Sequence, residues 1–107
     1  MSCALIIIMK IQYSREMQKI LKDEKTIVRN YGKLTKKIIF NLSVLTAADR
    51  LGDVPNTSPT RRHKLLGEES LWAIDLSANW RMIIEALDGN EPDDITEVRI
   101  VRIEDYH

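Results

Sequence analysis

The sequence has a single cysteine, Cys3, and this scarcity removes several classes of site. One thiol forms neither an internal disulfide nor a cysteine-based zinc site, so a reducing cytoplasm is the expected compartment. Because Cys3 has no histidine near it in sequence to activate it, we interpret it as a bystander. Glu68 and Glu69 do not have the spacing from His63 that metal ligands require, so we expect no metal and no other cofactor.

Long hydrophobic runs are also missing. The apolar run at residues 4–9 is too short to cross a bilayer and lacks the basic lead-in and cleavage site of a signal peptide. We interpret it as part of a strand and expect no membrane association. The sequence from Met9 to Tyr13 itself has the character of a protein start, so residues 1–8 are expected to be an upstream extension. The length of 107 residues predicts one domain, residues 1–107.

The chain has no excess of either charge, but its two parts differ strongly. Residues 1–66 hold 13 Lys/Arg against 5 Asp/Glu, a net +8, and residues 67–107 hold 3 against 11, a net −8. This asymmetry indicates a positive surface able to meet a polyanion. A second interpretation stays open, in which lysines solvate the helices and carboxylates solvate the strands.

Hydrophobic periodicity predicts a strand followed by helices. Residues 6–13 contain β-branched residues and no breaker, which is typical of a strand. Ser14 is placed to cap a first helix, and Thr26 to cap a second helical segment over residues 27–31. The clearest helix is predicted over residues 33–50, where the apolar stripe consists of Leu34, Ile38, Leu42 and Leu45.

The second half of the chain predicts short strands. Turn-forming residues bound the segments 60–66, 71–76, 80–87 and 95–105, and Asp88-Gly89 is a strong turn signal. Short connections make these strands antiparallel neighbours. The helices can then cover one face of this sheet and leave the other face open to a ligand.

Arg81 is expected on the open face. Side chains alternate along a strand, so Arg81 shares a face with Ile83 and Glu85, while Met82 and Ile84 are better suited to face the helices. Arginine holds phosphate with a fixed fork of donors.

The end of the last strand carries three further polar residues. Asp105 and His107 point the same way by alternation, and Tyr106 points the other way. Histidine serves as a base or an acid near neutrality, an aspartate two residues away can orient it, and a tyrosine can stack on a base. These groups suit a ribonuclease that uses the substrate's 2′-hydroxyl as nucleophile. Taken singly, each also fits a structural role, such as a surface histidine at His63 or a frayed tail.

Taken together, these residues have a recognisable order. The sequence resembles the HigB branch of the RelE-like toxins, the ribosome-dependent mRNA interferases of bacterial toxin–antitoxin pairs. The resemblance runs from Met9 to the end of the chain. It is carried by Met9-Lys10-Ile11-Gln12-Tyr13-Ser14, His63-Lys64-Leu65-Leu66-Gly67, Trp72-Ala73-Ile74-Asp75-Leu76, Asn79-Trp80-Arg81-Met82-Ile83 and Val101-Arg102-Ile103-Glu104-Asp105-Tyr106-His107.

This resemblance implies an α+β fold with a mainly antiparallel sheet of four to five strands and two or three helices packed on one face. It also implies metal-independent cleavage of translated mRNA on the ribosome. The partner would be a HigA-like helix-turn-helix antitoxin, and promoter DNA would be bound only through the complex with it. The catalytic positions carried over are His63, Arg81, Asp105, Tyr106 and His107. The expected RNA-binding residues are Arg61, Arg62 and Lys64.

Two departures from the family pattern leave a second function open. Leu66 stands where family members often carry a lysine, and the chain is neutral where these toxins are often basic. Lys64 is two residues earlier on the predicted strand and is expected to share the face of Leu66, so it could supply the missing cation. The alternative is a non-catalytic toxin that acts by protein binding, either as a gyrase inhibitor or as a degenerate toxin kept for antitoxin binding and promoter regulation.

Overall fold

The computed structural model describes residues 8–68 and 70–105 of the chain. They form a five-stranded sheet and three α-helices; 3-10 turns lie at Gly32–Leu34, Leu51–Asp53 and Pro92–Asp94. Within this part of the chain, no helix has the length and apolar character needed to cross a membrane. The elements are β1 (Lys10–Tyr13), α1 (Arg15–Ile20), α2 (Glu24–Tyr31), α3 (Thr35–Ala47), β2 (His63–Lys64), β3 (Leu71–Asp75), β4 (Trp80–Ala86) and β5 (Glu97–Asp105).

The sheet has the strand order β1-β5-β4-β3-β2. The three pairs β2–β3, β3–β4 and β4–β5 are antiparallel, as short connections predict. β1 pairs parallel to β5 at one edge of the sheet. The α+β architecture and the mainly antiparallel sheet predicted from the sequence are confirmed. Three helices and three strands separate β1 from β5 along the chain, so the long connection that a parallel pair requires is present.

The helices pack on one face of the sheet through a single apolar core. Ile38 and Leu45 of the predicted α3 stripe are fully buried, and Leu34 and Leu42 are packed against the same core. Burying one such aliphatic side chain stabilises the fold by about 1.5–3 kcal/mol. Members of the core from α1, α2, β3, β4 and β5 include Met17, Ile27, Ile74, Met82, Ile84, Val98 and Ile100.

Of the two predicted helix caps, one is confirmed and the other is wrong. Ser14 caps α1 as predicted, because its hydroxyl oxygen accepts from the Met17 amide at 3.3 Å. Thr26 was predicted to cap α2, and this is wrong: the helix begins at Glu24 and Asp23 is its cap. The Asp23 carboxylate accepts from both the amide and the hydroxyl of Thr26, at 2.8 and 2.7 Å, so Thr26 lies inside the first turn.

β2 is much shorter than the predicted segment 60–66. Thr60 is buried in a loop, where its hydroxyl donates to the Pro55 carbonyl oxygen at 2.8 Å. Arg61 then has a φ of +44°, a left-handed conformation that a strand does not allow. Only His63 and Lys64 therefore pair with β3. The strand alternation expected to join Lys64 and Leu66 on one face does not extend to Leu66, which follows the end of the strand.

Ser14 also links α1 to β5. Its hydroxyl donates to the Val101 carbonyl oxygen at 2.7 Å while accepting from the Met17 amide. We expect Ser14→Ala to lower the free energy of unfolding by about 1–2 kcal/mol, since a cap and a tertiary hydrogen bond are both lost. Urea unfolding measures this change. Ser43→Ala is the control, because the Ser43 hydroxyl only donates back to Ile39 within α3, and equal costs for both variants would contradict the capping role.

Candidate active site

A cleft of about 380 Å³ opens on the face of the sheet opposite the helices. Antiparallel pairing aligns His63 with Ala73, Ala73 with Ile83, and Ile83 with Arg102, so one row crosses the sheet from β2 to β5. The next row runs from Asp75 to Arg81 to Glu104. The residues that line the cleft are His63, Lys64, Leu65, Leu66, Glu68, Arg81 and Arg102. His63 and Arg81, which the sequence assigned to one site, are thus brought together.

A β-bulge decides which residues of β5 reach this cleft. The register shifts between Ile83 and Ile84, which pair with Arg102 and Ile100, so Val101 is an extra residue on β5. Before the bulge, even-numbered residues such as Ile100 point into the core; after it, Ile103 does. The bulge therefore turns Arg102 and Glu104 onto the open face.

The same shift separates Asp105 from Arg81. Asp105 pairs with Trp80, whose ring packs on the helix side, with its centroid 6.3 Å from that of Tyr31. The row of Arg81 ends at Glu104 instead. The pairing thus places Asp105 and Arg81 on opposite faces of the sheet. The catalytic roles of Asp105, Tyr106 and His107 stay predictions, and the last two residues lie outside the described part of the chain.

Glu104 lies between two guanidinium groups. One of its oxygens accepts from Nε and Nη2 of Arg81 at 2.9 and 2.6 Å, and the other accepts from Nε of Arg102 at 2.6 Å. Burial acts to raise the pKa of the Glu104 carboxyl. However, hydrogen bonds from Arg102 and Arg81 and their positive charges outweigh burial and leave this pKa below its usual value. Glu104 is therefore an anion at neutral pH.

One ring nitrogen of His63 is hydrogen-bonded to the backbone. Its Nδ1 lies 2.7 Å from the carbonyl oxygen of Arg61. A carbonyl oxygen only accepts, so Nδ1 carries the proton and Nε2 is the unprotonated nitrogen of the neutral ring. An imidazole held in this tautomer can take a proton at Nε2 and return it there.

The three basic residues predicted to bind RNA have different surroundings. Arg61 forms an ion pair with Asp75 at 2.6 Å. Arg62 donates to the Val54 carbonyl oxygen at 2.9 Å, and its guanidinium lies 5.6 Å from the centroid of the Trp72 ring, which gives it a structural role. Lys64 is exposed and lines the cleft, so of the three it is best placed to meet a phosphate.

The sequence analysis missed Arg102, which lines the cleft, and Glu104, which binds both arginines of the cleft. A strict alternation along β5 would have placed both with Ile100 in the core, and the bulge reverses that. The residue types alone argued against that placement, since an arginine and a glutamate are seldom buried without partners. Among residues 8–68 and 70–105, no cluster of histidine and acidic residues could hold a metal ion.

Known proteins share this fold at low sequence identity. A chain of the DinJ–YafQ toxin–antitoxin complex from E. coli aligns with a TM-score of 0.63 and 17% identity, covering 92% of each chain. YafQ from E. coli solved in a separate structure aligns with a TM-score of 0.56 and 17% identity, over 92% of this chain and 93% of that one.

A third structure extends the likeness to another toxin. The YoeB/ParE toxin from Agrobacterium tumefaciens aligns with a TM-score of 0.57 and 12% identity, over 92% of this chain and all of that one. No protein-family model and no curated protein sequence matches the chain. The resemblance to the HigB branch stays a prediction from the residues. The chain therefore has the α+β fold of the RelE-like toxins, with the cleft that contains His63 and Arg81 on the open face of its sheet.

Proposed function

We propose that this protein is the toxin of a toxin–antitoxin pair and that it cleaves translated mRNA on the ribosome. The observation that carries the proposal is the cleft, where a histidine in a defined tautomer lies with two arginines on the open face of a toxin-like fold. Such a set provides proton transfer and positive charge at one position, which are the requirements for cleaving a phosphodiester. The chain would work in the cytoplasm, where translated mRNA is found.

The proposed reaction begins with attack of the ribose 2′-oxygen on the neighbouring phosphorus. A base takes the 2′-hydroxyl proton, the bond to the 5′-oxygen breaks, and an acid gives that oxygen a proton, which leaves a 2′,3′-cyclic phosphate and a 5′-hydroxyl. Because the substrate supplies the nucleophile, the reaction needs no metal-bound water. Two histidines suit these two transfers, and the sequence contains two, His63 and His107.

Each side chain then has a defined role in the proposal. Nε2 of His63 transfers one proton, and His107 transfers the other. Arg81 holds the scissile phosphate and stabilises the charge that develops on its oxygens. Tyr106 positions or stacks a nucleotide. Lys64, which lines the cleft, supplies the cation that Leu66 does not.

The partner of the toxin would be a HigA-like helix-turn-helix antitoxin, and promoter DNA would be bound only through that complex. An antitoxin partner is supported by the DinJ–YafQ toxin–antitoxin complex, because one chain of that complex has the same fold as this protein. The positive charge of residues 1–66 supports contact with the ribosome, a large polyanion.

Two observations favour a second candidate, a non-catalytic toxin that acts by protein binding. Glu104 forms ion pairs with both arginines of the cleft, and Leu66 is 99% exposed where family members often carry a cation. An exposed leucine on a turn suits a protein contact better than a phosphate contact. Inhibition of gyrase and antitoxin-dependent promoter regulation are the two forms of this candidate.

Inducible expression of the chain alone, without an antitoxin, tests the proposed function. We expect growth arrest within one doubling and new 5′ ends within the translated region of a reporter mRNA, mapped by primer extension. A matched reporter without a start codon is the control, because ribosome-dependent cleavage requires translation. Growth arrest with intact transcripts would contradict the nuclease and support the non-catalytic toxin.

A further inference from the structure

Glu104 does not line the cleft, but its carboxylate is bound to Arg81, the arginine that is proposed to hold the scissile phosphate. Both arginines that line the cleft donate to this carboxylate, Arg81 through Nε and Nη2 and Arg102 through Nε. The side chains of Arg81 and Glu104 are only 21% and 24% exposed. A pair this sheltered interacts more strongly than a surface ion pair, because water screens it less.

A carboxylate and a phosphodiester present the same features to arginine. Each carries one negative charge shared over two oxygens, and a guanidinium can bind both oxygens through parallel N–H donors. Glu104 places its two oxygens against two different arginines, as a phosphodiester bridging them would. The side chain is therefore a chemical mimic of the substrate group.

We propose that Glu104 is an internal counter-ion, which an RNA phosphodiester must displace from Arg81 and Arg102 before it can react. This inference rests on the proposed function and adds selectivity to it. The exchange replaces one anion on the arginines with another, so a free RNA strand gains little binding free energy when it enters the cleft. RNA already held near the cleft by other contacts has a high effective concentration and displaces the carboxylate. Glu104 would thus restrict the site to RNA presented by a larger assembly.

Glu104→Gln tests this inference directly, since glutamine keeps the size and removes the charge. The probe is a single-stranded RNA tetranucleotide with 2′-O-methyl riboses, which lacks the nucleophile and so reports binding without cleavage. We expect it to bind the variant about tenfold more tightly than the wild type, as measured by calorimetry. The affinity of the variant should also fall more steeply with salt, because its arginines release solution anions when RNA binds.

Glu85→Gln is the matched control. Glu85 lies on the same face of the sheet and pairs with Arg99 at 2.8 Å, and Arg99, unlike Arg81 and Arg102, does not line the cleft. Neutralising Glu85 should leave the affinity for the tetranucleotide unchanged. Equal tightening in both variants would overturn the inference, because a change in overall charge would then explain it. Unchanged or weaker binding by Glu104→Gln would overturn it as well, since a purely structural role predicts a loss.

A measurement on the wild type keeps the test independent of how well the variant folds. The carboxyl ¹³C resonance of Glu104 should move toward that of a solvated carboxylate when the tetranucleotide is added at saturation, and that of Glu85 should stay in place. A stationary Glu104 resonance with bound RNA would overturn the displacement. If the proposed nuclease function is wrong, mRNA on the ribosome stays uncut. That result does not affect the comparison of RNA affinities between the wild type and the variants.

Discussion

Replacing Arg81 with alanine is expected to slow RNA cleavage by about 10²–10³-fold, the cost of removing one positioned donor from a developing oxyanion. Arg81 lies on the row of β4 that faces the cleft, and its side chain is 21% exposed, so its charge acts in a partly sheltered site. The measurement is single-turnover cleavage of an mRNA programmed on purified ribosomes. The rate at saturating toxin isolates the chemical step from binding.

Arg99→Ala is the control for this substitution. Arg99 also lies on the open face and pairs with a glutamate, Glu85, on the neighbouring strand, but it does not line the cleft. We expect its cleavage rate to stay within a few-fold of the wild type, and thermal unfolding should show similar stability for both variants. Equal losses in the two variants would show that open-face arginines act through folding or general charge, and Arg81 would lose its assignment to the phosphate.

Arg81→Lys separates charge from geometry at the same position. Lysine keeps the positive charge but has no planar fork of donors, so it cannot hold two oxygens at fixed positions. We expect an intermediate rate, above that of Arg81→Ala and below that of the wild type. Full activity in the lysine variant would mean that charge alone is needed, and the fixed geometry of the arginine would carry no part of the catalysis.

Most of the fold could be predicted from the sequence because its signals are local. The stripe that includes Ile38 and Leu45 and the cap at Ser14 each depend on residues a few positions apart. The error at Thr26 arose because two capping residue types lie three positions apart. Asp23 is the cap because its carboxylate accepts two hydrogen bonds at once.

The candidate site was predicted only in part because its geometry depends on pairing between strands. The face of Arg81 follows from alternation within β4, and the structure agrees. The faces of Arg102 and Glu104 depend on the bulge at Val101, which arises from the register between β4 and β5. Nothing in the spacing of apolar residues along β5 marks the extra residue. The pairing of Glu104 with both arginines therefore became visible only in three dimensions.

Substitution of His63 with asparagine is expected to lower the cleavage rate by about 10²–10⁴-fold, the usual contribution of a general acid or base. Asparagine can keep a donor to the Arg61 carbonyl oxygen, in place of Nδ1, while it removes the nitrogen that transfers the proton. The variant therefore preserves the backbone contact and deletes the proposed chemistry. His107→Asn is the companion variant, and its loss should be of the same order.

The dependence of the rate on pH assigns the two roles. A base must be unprotonated and an acid protonated, so the wild type should show a bell-shaped profile with a rising limb and a falling limb. The variant that lacks the base loses the rising limb, and the variant that lacks the acid loses the falling limb. Because the chain has two histidines, each variant should remove a different limb. An unchanged bell in His63→Asn would contradict proton transfer by His63. Since the variant keeps the link to Arg61, such a result would reduce His63 to a residue that only holds its loop in place.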